Sequence, residues 1–195
     1  MQKESYKDLR AGASIPEKLV DSKGIFRGRI LNLRVDEVEL PDGKRSIREV
    51  IEHCGAVVVI PVLENGNILL VRQYRHASGE FLLELPAGKL DHEKEELEDC
   101  ARRELLEETH YSCEKMERLF DFFSSPGMTN ELMHVFVATG LKPQKSDYCD
   151  YDEFIAIADY PVVEALEMVR DGRIRDAKTA AGILYYQVFI LKKKF

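Results

Sequence analysis

Residues 97–109 read as a helix that carries acids along the side that should face a core. At about 100° per residue, Leu97, Cys100, Ala101, Glu104, Glu107 and Glu108 fall on one stripe. Glu98, Asp99, Arg102 and Arg103 occupy the other side, joined by Leu106. The first stripe begins apolar and ends in three carboxylates. A solvated acidic face is the plain alternative, because like charges four apart on an exposed helix cost only about 0.2–0.5 kcal/mol per pair. Half-enclosed, two carboxylates ~6 Å apart repel by about 3 kcal/mol at an effective dielectric near 20. A divalent cation removes that penalty, and oxygen-only donors open to solvent select Mg2+ or Mn2+ over Zn2+. Such a cluster suits phosphate chemistry, where a metal lies between an anionic substrate and the protein.

The elements that must position this helix can be read from hydropathy and turn residues. Residues 24–52 alternate short Ile, Val and Leu stretches with polar residues around Pro41-Asp42-Gly43-Lys44, which predicts a small antiparallel β unit with one hairpin. Residues 56–63 form a buried strand, and Glu64-Asn65-Gly66 predicts a hairpin to a partner strand at 67–74. Strands are also expected at 81–85, 119–123, 132–138 and 154–158, with Pro86-Ala87-Gly88 as a turn. Pro161 suits the first turn of a helix that Gly172 ends. A last helix is expected over 177–192, with Lys192, Lys193 and Lys194 at the end its dipole favours. The fold class is α/β of the α+β type: a mixed sheet packed between helices, without a regular βαβ rhythm.

Composition narrows the function further. The 195 residues, 45% of them hydrophobic, suit a chain folded around a core. The net charge of −7 excludes a generally basic nucleic-acid-binding surface. Residues 91–108 hold nine acids against three bases, so the acidity is local. No apolar run approaches the roughly 18 residues of a membrane span. The polar first fifteen residues, expected to be loosely held, lack the apolar core of a secretory signal. With Cys54, Cys100, Cys113 and Cys149 in no CxxC pair, a reduced, cytoplasmic protein is expected.

The acidic helix and its approach resemble the signature of the Nudix hydrolases, G-x5-E-x7-R-E-U-x-E-E-x-G-U with U apolar. Here Gly88 is followed by six residues, Glu95, seven residues, and Arg103-Glu104-Leu105-Leu106-Glu107-Glu108-Thr109-His110-Tyr111. The Arg-Glu-Leu-x-Glu-Glu core is intact. One residue is inserted before Glu95, and His110 stands where the signature has a glycine. Flanking segments are similar to the branch that hydrolyses ADP-ribose and other nucleoside-diphosphate sugars. They are Arg48-Glu49-Val50, Val71-Arg72-Gln73-Tyr74-Arg75, Glu84-Leu85-Pro86-Ala87-Gly88-Lys89, 125–131, Asp152-Glu153-Phe154-Ile155 and Asp176-Ala177-Lys178-Thr179.

The resemblance implies an α/β/α sandwich over 54–195, preceded by a tail and β unit over 1–53 that forms a homodimer. It implies that Glu104 and Glu108 are the principal metal ligands, with Glu107 sharing or positioning a second ion and the Ala87 carbonyl as a backbone ligand. Glu95 and Arg103 form a supporting pair. Mg2+ is the expected cofactor, with Mn2+ as the alternative. Glu153 is the expected general base, with Asp150, Asp152 and Glu107 as rivals. Arg75 is expected to bind the diphosphate, with Arg72 either sharing that role or structural. Gly88 and Glu131 are further substrate contacts, Glu131 on a ribose hydroxyl or the terminal sugar. Arg48 and Glu49 resemble residues that serve the adenine end from a partner subunit. The activity implied is hydrolysis of ADP-ribose, or a related nucleotide sugar or dinucleotide; a binding module without catalysis is the rival of another class.

Overall fold

The computed structural model describes residues 16–90, 95–145 and 155–192. The polar N-terminal tail therefore lies outside the described residues. The chain divides into two compact units, Met1–His53 and Cys54–Phe195.

The first unit is a three-stranded antiparallel sheet, β1 (Lys18–Arg27), β2 (Asn32–Glu39) and β3 (Arg45–Glu52), in that order. The expected hairpin at Pro41–Lys44 is present: Gly43, at φ +81°, donates to the Leu40 carbonyl. The unit starts earlier than its hydropathy pattern suggested and has a second hairpin, closed by the Gly28 N–H on the Leu31 carbonyl. Strand β1 is exposed along its whole length, so alternation gave no signal for its first half.

In the second unit, β4 (Ala56–Pro61) is buried at every residue. Val57 and Val59 pack against Cys100, Ala101 and Leu105 of helix α1 (Leu97–Thr109). Val58 and Ile60 pack the other way, against Ile68, Leu70, Leu85, Ala165 and Ile183. Each such side chain contributes about 1.5–3 kcal/mol through burial. One strand thus supports a helix layer on each face.

The remaining elements are β5 (Asn67–Arg75), β6 (Glu80–Glu84), β7 (Ala87–Lys89), β8 (Tyr111–Phe123), β9 (Leu132–Pro143), β10 (Ala156–Pro161), α2 (Val162–Arg170) and α3 (Ala177–Tyr185). They form one sheet in the order β7-β4-β9-β8 and another in the order β10-β5-β6. Strands β4 and β9 run parallel; the other neighbours within these two sheets are antiparallel.

Three expectations need correction here. The Glu64-Asn65-Gly66 turn forms, but β4 and β5 share only the bridge Val62–Ile68 and then enter different sheets. One edge of β4 is taken by β9 along its length and the other by β7 at Ala56–Val58 and the Pro86 carbonyl at Val59, and Pro61 has no N–H to offer a further neighbour. Ala87 and Gly88 are not a free turn but part of β7, paired with Val58 and Val57. The last helix is not regular to Lys192: α3 gives way to a π-helical turn at Tyr186–Ile190. There Tyr185 stacks on Phe120, ring centroids 4.2 Å apart, consistent with a packing role for these aromatics.

Helix α1 has the bounds its periodicity predicts, with Leu105 and Thr109 added to its buried side. His110 ends it in the left-handed region at φ 59°, ψ 33° and donates its N–H to the Leu106 carbonyl. Holding a non-glycine residue there costs about 1 kcal/mol. His110→Gly is therefore expected to raise the melting temperature by about 2–4 °C in thermal unfolding. A lowered melting temperature would show that the imidazole makes a compensating contact.

Candidate active site

Strand β7 crosses beneath the second half of α1, and this is where the expected site residues meet. The Ala87 N–H donates to Glu108 Oε2 at 3.0 Å. Gly88 lies directly under Glu104: an added Cβ would fall inside the Glu104 carboxyl group. Both glutamates are buried, whereas Glu107, on the same side of the helix, is partly exposed. Two acids of the stripe, Glu104 and Glu108, thus turn inward onto strand β7.

Arg103 bridges the cluster. Its Nη1 donates to Glu104 Oε1 at 2.7 Å and to Glu107 Oε2 at 3.2 Å, its Nε to Glu95 Oε1 at 3.2 Å. Burial works against the guanidinium charge, but the Glu95 hydrogen bond and the field of Glu104 outweigh it and hold Arg103 above the ordinary arginine range. The supporting pair Glu95–Arg103 is therefore present, and Arg103 also tethers two of the candidate ligands. Among the described residues, no three His, Cys, Asp or Glu side chains stand as a ready-made metal cage. The donor chemistry nevertheless fits a hard divalent cation: carboxylates on one helix side, facing a backbone kept bare of a Cβ at Gly88. Thiol chemistry is not available here, because burial pushes the Cys100 thiol up to about 12.

Arg75 and Arg72 point to opposite faces of β5, as alternation requires. Arg72 lies over the Phe81 ring, 4.0 Å from its centroid. Arg75 donates from Nε and Nη2 to the two oxygens of Glu84, each at 2.8 Å. Its guanidinium also feels the charges of Glu108 and Asp176, which places it on the acidic side of the site. Glu84 is 1% exposed and is paired with Lys178 as well. Sequence reasoning quoted Glu84 and Lys178 within motifs but gave them no role. The available signal was a lysine two residues after the helix-capping Asp176 and a glutamate near the end of an expected strand. Between the arginines, Gln73 is buried, and its Oε1 has no hydrogen-bond partner among the described residues.

The Glu84 carboxyl gives a pH dependence with a definite sign. Burial alone would raise it, but the Arg75 hydrogen bonds and Lys178 outweigh burial and leave it below its ordinary value of 4.5. Its stabilising contribution is therefore complete above that value and is lost as pH falls through the lower folded value. Denaturant unfolding followed from about pH 6 down to about pH 3 is expected to show stability falling with acid, less steeply in Glu84→Gln. Equal slopes in the two proteins would disprove this assignment.

Of the other expected residues, Glu131 follows a turn after β8, and its carboxylate accepts from Ser124 Oγ. Arg48 lies on β3 and donates to Glu17 and to Ser46 Oγ; Glu49 sits opposite Val35 in the β2–β3 register. Glu153 and its rivals Asp150 and Asp152 fall outside the described residues.

The site is an acidic helix set against a short glycine-containing strand, within a mixed sheet between helices. The chain belongs to the Nudix hydrolase family: the NUDIX domain model matches residues 52–181, and the nucleoside diphosphate sugar hydrolase N-terminal domain model matches residues 17–51. The chain is 42% identical over 178 residues to the methanol dehydrogenase activator of Bacillus methanolicus, covering 91% of this chain and 96% of that protein. It is 40% identical over 176 residues to the ADP-ribose pyrophosphatase of Bacillus subtilis (strain 168), covering 90% and 95%. The GDP-mannose pyrophosphatase of Yersinia enterocolitica is 37% identical over 158 residues, covering 76% and 82%. A solved structure described as an ADP compounds hydrolase shares the fold, with a TM-score of 0.82 at 19% identity over 93% of this chain and 98% of that one. No helix among the described residues is long and apolar enough to cross a membrane.

Proposed function

We propose that this protein hydrolyses the diphosphate bond of ADP-ribose or a related nucleoside-diphosphate sugar, giving a nucleoside monophosphate and a sugar phosphate. The observation that carries the reading is the meeting of Glu104 and Glu108 with the Ala87–Gly88 backbone. The relatives named as pyrophosphatases of ADP-ribose and GDP-mannose support the substrate class.

Glu104, Glu107 and Glu108, with the Ala87 carbonyl, would hold a divalent cation, Mg2+ as first choice, which supplies charge neutralisation at the diphosphate. Arg75, fixed by Glu84, would orient the diphosphate beside it. Gly88 leaves room for that group close to the backbone, and Glu131 would take a hydroxyl of the sugar. Glu153 would accept the proton of the attacking water, with Glu107 as the alternative base. Water adds to one phosphorus as the bridging oxygen leaves on the other, so ADP-ribose would yield AMP and ribose 5-phosphate.

We further infer a homodimer formed through the 1–53 unit, with Arg48 and Glu49 serving the base of the partner's substrate. The exposed Leu19, Val20, Ile25, Phe26 and Ile47 support this, being more apolar surface than such a small sheet ordinarily leaves open. The free thiols of Cys54, Cys100 and Cys113 support a cytoplasmic setting.

A panel of nucleotide sugars that includes ADP-ribose and GDP-mannose, assayed with Mg2+ and with Mn2+ in 18O-labelled water, tests the reading. Metal-dependent release of a nucleoside monophosphate is expected, with label in one product. Tight binding without turnover would instead identify a sensor.

A further inference from the structure

The backbone that reaches the site must cross from one sheet to the other, and it does so in two residues. Strand β6 ends at Glu84, still paired with Val71, and β7 begins at Ala87, paired with Val58. Leu85 and Pro86 lie between, with no strand partner of their own, yet Leu85 is fully buried. Pro86 has no N–H, and its carbonyl accepts from Val59 at 2.9 Å. That leaves the Leu85 N–H, whose partner is a side chain: it donates to Thr179 Oγ1 of α3 at 2.8 Å.

The first turn of α3 is built to hold that oxygen in place. Asp176 caps the helix by accepting from the Thr179 N–H at 2.9 Å, and its Oδ2 also accepts the Thr179 hydroxyl. With its proton committed to Asp176, the hydroxyl oxygen turns its lone pairs to Leu85. Lys178 spans Asp176, at 2.9 Å, and the buried Glu84, so the residue before Leu85 is tied to the same turn. One turn further along α3, Gly182 sits against Leu85 so closely that a Cβ would collide with its side chain.

We propose that Thr179, held by Asp176, is a positioning residue for hydrolysis: it fixes Leu85 and thereby the Ala87 carbonyl two residues on. The proposal rests on the reading of Ala87 as part of the metal-holding set. Lys178 completes the clamp by holding Glu84, the residue that aims Arg75. Loss of a hydrogen bond that served only stability would lower the melting temperature and leave the Ala87 oxygen where it is. A clamp on the crossover moves that oxygen when it is cut.

The test is Mn2+ binding to the full-length chain without substrate, by titration calorimetry, alongside kcat for ADP-ribose at several Mn2+ concentrations. Thr179→Val keeps the shape and removes the acceptor. It is expected to weaken Mn2+ binding by about tenfold or more, the scale of losing a partner that orients a ligand. Its kcat at low Mn2+ should fall and recover in part as Mn2+ is raised, and Thr179→Ser should restore both. Asp176→Asn keeps an N-cap acceptor but removes the carboxylate that faces Lys178; it is expected to move both readouts the same way and decides the matter if Thr179→Val does not fold. Wild-type Mn2+ affinity and kcat in these variants, even with a lowered melting temperature, would overturn the clamp. A wild-type protein that bound no Mn2+ and hydrolysed no nucleotide sugar would overturn the underlying functional reading instead.

Discussion

Replacing Glu108 by Gln is expected to reduce metal-dependent hydrolysis of ADP-ribose by more than about 100-fold, because losing an outer partner of a metal site already costs about 10–100-fold. The fold should survive. The amide retains an oxygen that can accept the Ala87 N–H, so the contact between β7 and α1 is kept. Removing one of several clustered acids also relieves repulsion within the helix. The melting temperature in EDTA is therefore expected to stay close to that of the wild type. This separates the variant from a destabilised one, which would lose activity and melting temperature together. Hydrolysis near the wild-type rate, with the usual response to Mg2+ and Mn2+, would end the assignment of Glu108 as a ligand.

Gly88→Ala carries the second large effect, for a reason that lies in space and not in charge. Gly88 is an ordinary strand residue paired with Val57, so alanine suits its backbone. The obstacle is the Glu104 carboxyl group, which occupies the volume of the new methyl. The end of a glutamate side chain moves readily, so the fold yields by displacing Glu104 and loses little stability. Function does not yield as easily, because Glu104 is the buried acid that the helix sets against this strand. Mn2+ affinity and kcat/KM are both expected to fall by about 10–100-fold, with little change in melting temperature. Unchanged Mn2+ binding in Gly88→Ala would mean that Glu104 acts from another position.

The parts of the site that sequence reveals are those coded by spacing along one helix. Glu104 and Glu108 share a stripe with Cys100 and Ala101, and periodicity alone predicts that they turn inward with the core residues. The length of α1 was legible for the same reason. Pairing between distant segments was not. The Glu64-Asn65-Gly66 turn announces a hairpin with nearly the whole of β4 and β5, but local signals carry no record that β7 and β9 already hold both edges of β4. The tripeptide Pro86-Ala87-Gly88 reads as a turn, because a three-residue strand is too short for alternation to register. Thr179 stands in a segment that the family resemblance includes, but its contact is with an N–H 94 residues away, which no local signal carries. Arg75 was legible as a cation near the site, whereas its bidentate attachment to Glu84 depends on a cross-strand diagonal that spacing does not fix.

The placement of β4 has a consequence for how such a protein diversifies. The strand is enclosed above, below and along both edges, so it has no freedom to vary without loss of the whole assembly. Helix α1 packs on one face of it and β7 pairs with its first half, so the acids and the strand they meet are both anchored to it. A change in β4 would therefore shift both partners together. Substitutions in β4 are expected to disturb the fold and the Glu104–Gly88 contact at once, whereas those at exposed positions away from it leave that contact in place.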